Sequence, residues 1–387
     1  MKKHLLLAVL GLLSEKQFAQ SPATDPCWSP VWTDNFKAPG QTLSSIEALG
    51  WGIADNFDHG GEPQVFKRAN ASVNTTDGLV FEVKPESPAL SCPTCIQTIH
   101  YYSSASIGSN NWTGLTPTHL PQFGYIEAKI SIPDRYGLFP AFWIWYDSPI
   151  THDESVTYEF VPGSTVTCGD SPYYSQTIDK NLYTSTLHWD GYVPGVCNNL
   201  TQMQVLPMND YTTPHIYGIE WSPSKIIWYI DNVAVRNAPN PGYTTGSTPG
   251  AIQNPSSIIL NLSLYDWIEA SNHGDNAAFK YDFSTNVPNY FPSAPYFEKM
   301  KIEYVNYYDL DMSQCSSGTP TLMFTTAALN AYDYKVKNNI SIDGSGTTIT
   351  VSSSSPPALR ASAYISITAD FEVPLGEDLY LDITPCY

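Results

Sequence analysis

Two glutamates five positions apart, Glu154 and Glu159, stand in a run that otherwise has the character of a β-strand, Glu154-Ser-Val-Thr-Tyr-Glu159-Phe160. Two carboxyl groups about 5 Å apart, one acid/base and one nucleophile, are what cleavage of a glycosidic bond with retention demands. Strand side chains alternate faces, so an odd separation points the two glutamates opposite ways. The chemistry therefore calls for one β-bulge between them, which restores a common face and bends the strand. With that bulge the two backbones stand four strand rises apart, about 13 Å, and long side chains lean together.

A strand needs a partner. Phe139-Pro-Ala-Phe-Trp143-Ile-Trp145 is aromatic and apolar with no helical period, a strong strand signal. Tyr146-Asp-Ser-Pro-Ile-Thr151 between the two runs supplies turn residues, so an antiparallel hairpin is expected.

Together these residues resemble glycoside hydrolase family 16, the laminarinase, agarase and carrageenase group. That family's signature is Glu, any, Asp, any, usually one bulged residue, Glu, on the strand after a Pro-Ala-Phe-Trp strand. The resemblance implies Glu154 as nucleophile and Glu159 as acid/base. It also implies an exported, endo-acting, retaining hydrolase of a β-linked polysaccharide, of the β-glucan or marine galactan class. The middle Asp of the signature is Val156 here. A carboxylate between the two glutamates would help separate their pKa values. Its loss keeps a second reading open, a catalytically degenerate carbohydrate-binding protein. His152 and Asp153 stand just before Glu154; His152 shares its face in a regular strand and Asp153 does not.

Substrate-binding candidates are Trp143, Trp145, His188, Trp189 and Asn261, with Trp112 beside them. Indole faces pack well on the apolar C–H faces of sugar rings. Each candidate has a plainer reading: the tryptophans as core, His188 as a structural strand histidine, the glutamates as solvated strand residues. Neither a catalytic metal nor a required cofactor is expected. The resemblance allows a structural calcium, although no dense Asp/Asn ligand cluster announces one.

From Trp28 the chain runs as short strands without a helical block. Val31–Phe36, Gly124–Ile132, Ser185–Trp189, His215–Trp221, Ile258–Leu264 and Phe297–Tyr308 are the clearest. Asp77-Gly78 and Asp231-Asn232 have the residues of tight hairpin turns. The fold class expected is all-β, a concanavalin-like jelly-roll sandwich of two antiparallel sheets over 25–311. The segments Pro85–Pro121 and Gly163–Tyr183 have the look of insertions that select substrate. Cys315-Ser-Ser-Gly-Thr-Pro marks a linker, 312–318. Residues 319–387 resemble the small stacked-β modules at the C-termini of exported Bacteroidetes proteins, a spacer or cell-surface module.

A net charge of −19 disfavours nucleic acid, whose phosphates it would repel. Met1-Lys-Lys-His followed by Leu5–Leu13 has the form of a signal peptide, 1–20, and nine apolar residues are too few to span a bilayer. A secreted, periplasmic or cell-surface location follows, with a polysaccharide as partner and no transmembrane segment. Seven cysteines suit an oxidising compartment. Cys92-Pro-Thr-Cys95 fits a loop disulfide or two free thiols better than zinc, and Cys168 with Cys197 is a possible pair.

Overall fold

The computed structural model describes residues 22–24, 28–58, 64–95, 98–109, 119–133, 138–146, 154–160, 164–165, 173–174, 182–188, 199–205, 211–222, 225–239, 255–264 and 298–310, and eight short strands between 321 and 383. The expected leader, the linker 312–318, Trp112, His152, Asp153, Trp189 and the cysteines other than Cys92 and Cys95 lie outside these residues.

In chain order the first strands are β1 (Trp28–Asn35), β2 (Gly52–Ile53), β3 (Gln64–Phe66), β4 (Ala71–Asn74), β5 (Gly78–Ser91), β6 (Ile99–Ser104), β7 (Ser106–Gly108) and β8 (Gly124–Ser131). Then come β9 (Leu138–Tyr146), β10 (Glu154–Glu159), the small pair β11 (Ser164–Thr165) and β12 (Tyr173–Tyr174), β13 (Leu182–His188) and β14 (Asn199–Val205). The sandwich closes with β15 (His215–Trp221), β16 (Lys225–Ile230), β17 (Val233–Pro239), β18 (Ser257–Leu264) and β19 (Glu298–Leu310). One short helix, α1 (Leu43–Ala48), is the α-helix among the described residues; Thr42 opens it with a capping box to Ser45.

Two sheets face each other. The larger has ten strands ordered β17-β16-β15-β8-β19-β5-β6-β3, with β1 on β19 and β4 on β5; the smaller has seven, β14-β13-β10-β9-β18-β7-β2. Alternation sends one face of each sheet into a shared core. Ile126, Ala128, Ile130, Tyr217, Ile219, Trp221 and Trp228 come from the larger sheet, and Phe142, Ile144, Tyr158, Leu187, Leu260 and Leu262 from the smaller. This is the jelly-roll sandwich that the strand pattern predicts.

The two expected hairpin turns are present. Gly78 has φ 82°, and Asn74 Oδ1 accepts from the main-chain N–H of Thr76 and Asp77. Asp231 and Asn232 both have positive φ, 48° and 68°, as a type I′ turn requires. The segment Pro85–Pro121 differs from expectation. Its described part is built into the sandwich, supplying β6 to the larger sheet and β7 to the smaller. His100, Tyr102 and Ile107 within it are fully buried, and that burial fixes these strands in the fold.

Past residue 320 the pairing changes to parallel. β20 (Thr321–Phe324), β22 (Asn339–Ile342) and β25 (Tyr364–Ile367) form one ladder, and β21 (Asp333–Val336), β24 (Ala358–Ala361) and β27 (Tyr380–Ile383) another. β23 (Ile349–Thr350) pairs β26 (Phe371–Glu372). Three parallel ladders visited in rotation stack successive coils of chain on one another.

Candidate active site

β9, β10, β13 and β18 lie together in the seven-stranded sheet, and their phase is set by what they bury. Tyr158 is fully buried, lies nearly parallel to Phe142 at 6.3 Å, and donates its hydroxyl proton toward the main-chain oxygens of Tyr229 (2.7 Å) and Gly218 (3.2 Å) in the opposite sheet. That cross-core contact pins β10.

On the other face of β9 and β18 the side chains are polar and aromatic. Trp143 Nε1 donates to Asn261 Oδ1 at 2.8 Å, and Asn261 Nδ2 donates to Ser263 Oγ at 2.8 Å. Trp143 and Trp145 are half-buried, with ring centroids 6.2 Å apart and planes at 53°. The predicted Trp143, Trp145 and Asn261 are therefore brought together on the face turned from the core. A locked indole beside a second indole offers a surface to sugar C–H groups, with fixed polar atoms at its edge.

The β10 register corrects one expectation. Against β9 the partners run from Glu154 with Tyr146 to Glu159 with Ala141, and against β13 from Ser155 with His188 to Glu159 with Thr184, with no shift in either ladder. The bulge expected between the glutamates is not there. Position 159 is in phase with 155 and 157, whose β9 partners are Trp145 and Trp143. Positions 154 and 156 are in phase with Tyr158 and the core. In these ladders position 156 pairs with Ile144 on one side and Leu187 on the other, both fully buried. His188 ends β13 opposite Ser155 and Asn199.

Two supports are not evident from the motif. Arg236 of β17 is buried between the sheets, 4.6 Å over the Trp228 ring, and donates to the main-chain oxygen and the hydroxyl of Ser185, the latter at 3.1 Å. Ser185 pairs with Tyr158, so a guanidinium backs the strand next to β10. Burial pushes its pKa down to about 10, which still leaves it charged at neutral pH. Ser263, the end of the Trp143–Asn261 chain, was findable: Asn261 and Ser263 are polar and two apart in an apolar strand. Arg236 carried no comparable signal, since only the tertiary fold sets β17 behind β13. Among the described residues, the group with metal-ligand spacing is Asp58, Cys95 and His100, none of which belongs to these four strands.

Residues 98–284 match the family model of Glycosyl hydrolases family 16. Among curated proteins the chain is 24% identical over 257 residues to Endo-1,3-1,4-beta-glycanase EglC of Rhizobium meliloti, covering 63% of this chain and 43% of that protein. It is 22% identical over 252 residues to Beta-glucanase of Rhodothermus marinus, covering 62% of this chain and 76% of that protein. The chain thus spans less than half the length of the first of these relatives. In fold it is similar to the laminarinase catalytic domain of Thermotoga maritima, with TM-score 0.50, 18% identity, and coverage of 73% of this chain and 98% of that one. The segment that matches the family model, 98–284, is the part of the chain that holds β9, β10, β13 and β18.

Proposed function

We propose that this protein is an exported, endo-acting glycoside hydrolase that cleaves a β-linked polysaccharide with retention. The observation that carries the reading is the locked Trp143–Asn261–Ser263 chain on the sheet face in phase with Glu159. A sugar ring laid on the Trp143 and Trp145 indoles has its glycosidic oxygen offered to β10. Glu159, protonated, gives its proton to that oxygen, and Glu154 attacks the anomeric carbon. Water activated by Glu159 then releases the sugar. Both carboxyls must serve one bond, so this reading requires a one-residue offset in β10 that its present register lacks. The relatives named glycanase, glucanase and laminarinase favour a β-glucan over a galactan. The basic start followed by Leu5–Leu13 supports export, and the parallel C-terminal module supports attachment at a cell surface.

A second reading rests on Val156 and the unshifted β10 register: a carbohydrate-binding protein that kept the aromatic face without turnover. One experiment separates the two. The protein is incubated with laminarin, mixed-linkage glucan, agar and carrageenan while new reducing ends and binding are followed together. Release of oligosaccharides of mixed length from one member establishes the hydrolase. Retained binding with no new reducing ends on any member establishes the binder.

A further inference from the structure

We propose that Asp58, Cys95 and His100 form a thiol-gated zinc site, closed while Cys95 is bonded to Cys92 and opened when a dithiol reductant cleaves that bond. One ligand atom from each of the three residues lies within 4.8 Å of the others. Asp58 follows the isolated bridge Phe57–Phe66, and His100 is on β6 opposite Leu90. Both side chains are buried, Asp58 at 4% exposure and His100 at 0%. Cys95 arrives from a turn whose own sulfurs are joined, Cys92 to Cys95, with Cα atoms 5.3 Å apart. Main-chain bonds from Cys92 to Thr98 (2.9 Å) and from Cys95 to Cys92 (3.1 Å) hold that turn. The Thr94 hydroxyl reaches the main-chain oxygen of Asn56 at 3.4 Å, two residues before Asp58.

The donor set selects the metal. Thiolate, imidazole and carboxylate together suit Zn²⁺, whose ligands lie at about 2.0–2.3 Å, so tetrahedral corners stand roughly 3.3–3.8 Å apart. A contraction of about 1 Å closes three corners and leaves the fourth to water. Calcium would ask for six or more oxygens, and these three residues do not offer them. Sulfur in a disulfide is neutral and no ligand for zinc; the thiolate is.

The redox step balances. A dithiol reductant gives two electrons and two protons to the Cys92–Cys95 bond, becoming a disulfide itself and leaving two thiols. Zinc then displaces the Cys95 thiol proton. Pro93 and Thr94 are exposed, so a reductant can reach the turn. The metal would tie Asp58, where the segment leading to β3 begins, to β6 in the same sheet.

Cys92→Ser is the decisive variant, because it frees Cys95 without any reductant. Cobalt(II) and zinc are titrated into the full chain, following the sulfur-to-cobalt charge-transfer band and competition with a chromophoric chelator. The oxidised parent is expected to show no band. The reduced parent and Cys92→Ser are each expected to bind one ion with the band present. In the Cys92→Ser background, Asp58→Asn and His100→Gln should each weaken binding at least tenfold, and Cys95→Ser should abolish the band. Asp58→Asn keeps the size of the side chain, so it reports even if the His100 variant fails to fold. A Cys92→Ser protein without the band, or one whose band survives Cys95→Ser, overturns the proposal. So does unchanged affinity in folded Asp58→Asn.

Discussion

The hydroxyl of Tyr158 lies 2.7 Å from the main-chain oxygen of Tyr229, one atom pair that links the two sheets through the middle of the core. The β16–β17 ladder shifts register between Trp228 and Tyr229, and at that irregularity the Tyr158 proton is supplied. Tyr158→Phe keeps the stack on Phe142 and deletes only this donor. The expected cost is about 1–2 kcal/mol, that of buried acceptors left short of a partner, read as a lower urea midpoint with unchanged slope. A midpoint equal to the parent's would mean that the cross-sheet bond contributes nothing.

Glu127 is 2% exposed on the outer face of the larger sheet, where Asn306 Nδ2 donates to it at 2.9 Å. Burial outweighs the hydrogen bonds from Asn306, Tyr125 and Tyr308 and raises its pKa. A raised folded pKa means that the group's favourable contribution is complete below the unfolded value, near 4.5, and is lost as pH rises through the folded value. Glu127→Gln removes that loss. The difference in melting temperature, variant minus parent, should therefore be more positive at pH 8 than at pH 4. A difference constant with pH would show that Glu127 titrates alike in both states.

Trp143→Ala removes the indole and leaves Asn261 Oδ1 without its donor at the sheet face. Affinity for the bound glycan should fall about tenfold or more, near 1.4 kcal/mol, by calorimetry or affinity electrophoresis. Trp143→Phe keeps a ring and loses the N–H, so it should fall between the parent and the alanine variant. If Trp143 were core filling alone, stability would drop and affinity would not.

If Glu159 is the acid/base, Glu159→Gln should lower the rate on polysaccharide by about 10²–10⁴. Substrates with good leaving groups should lose less, because their departure needs little protonation. Glu154→Gln should abolish turnover on both, because no covalent intermediate forms. Equal residual rates for the two variants on an activated aryl glycoside would remove these roles.

Val156→Asp puts a carboxyl at the register position paired with the fully buried Ile144 and Leu187. If β10 keeps its regular ladder, the variant should lose about 2 kcal/mol or more and gain no activity. If β10 accepts a bulge, the acid escapes the core, stability changes little, and hydrolysis rises. Paired denaturation and reducing-end assays on one preparation distinguish the outcomes.

The strands themselves were legible in the chain. Alternating runs such as Gly124–Ser131, the apolar run of β18 interrupted by Asn261 and Ser263, and the Asp77-Gly78 and Asp231-Asn232 turns are local features, set by period and by φ preference. That Trp143 and Trp145 share one strand face was readable from their spacing, whereas the meeting of Asn261 with them follows from the pairing of β18 with β9. Local rules could not say whether β10 bulges. Its register is decided by neighbours distant in sequence: Tyr158 fastens to Tyr229 across the core, and Val156 falls between Ile144 and Leu187. The same holds for Pro85–Pro121, whose loop-like composition gives way to β6 and β7 because His100, Tyr102 and Ile107 are buried by residues far along the chain. Burial and cross-sheet hydrogen bonding act between segments that only the folded chain brings together, so register and the Asp58–Cys95–His100 grouping belonged to the tertiary structure alone.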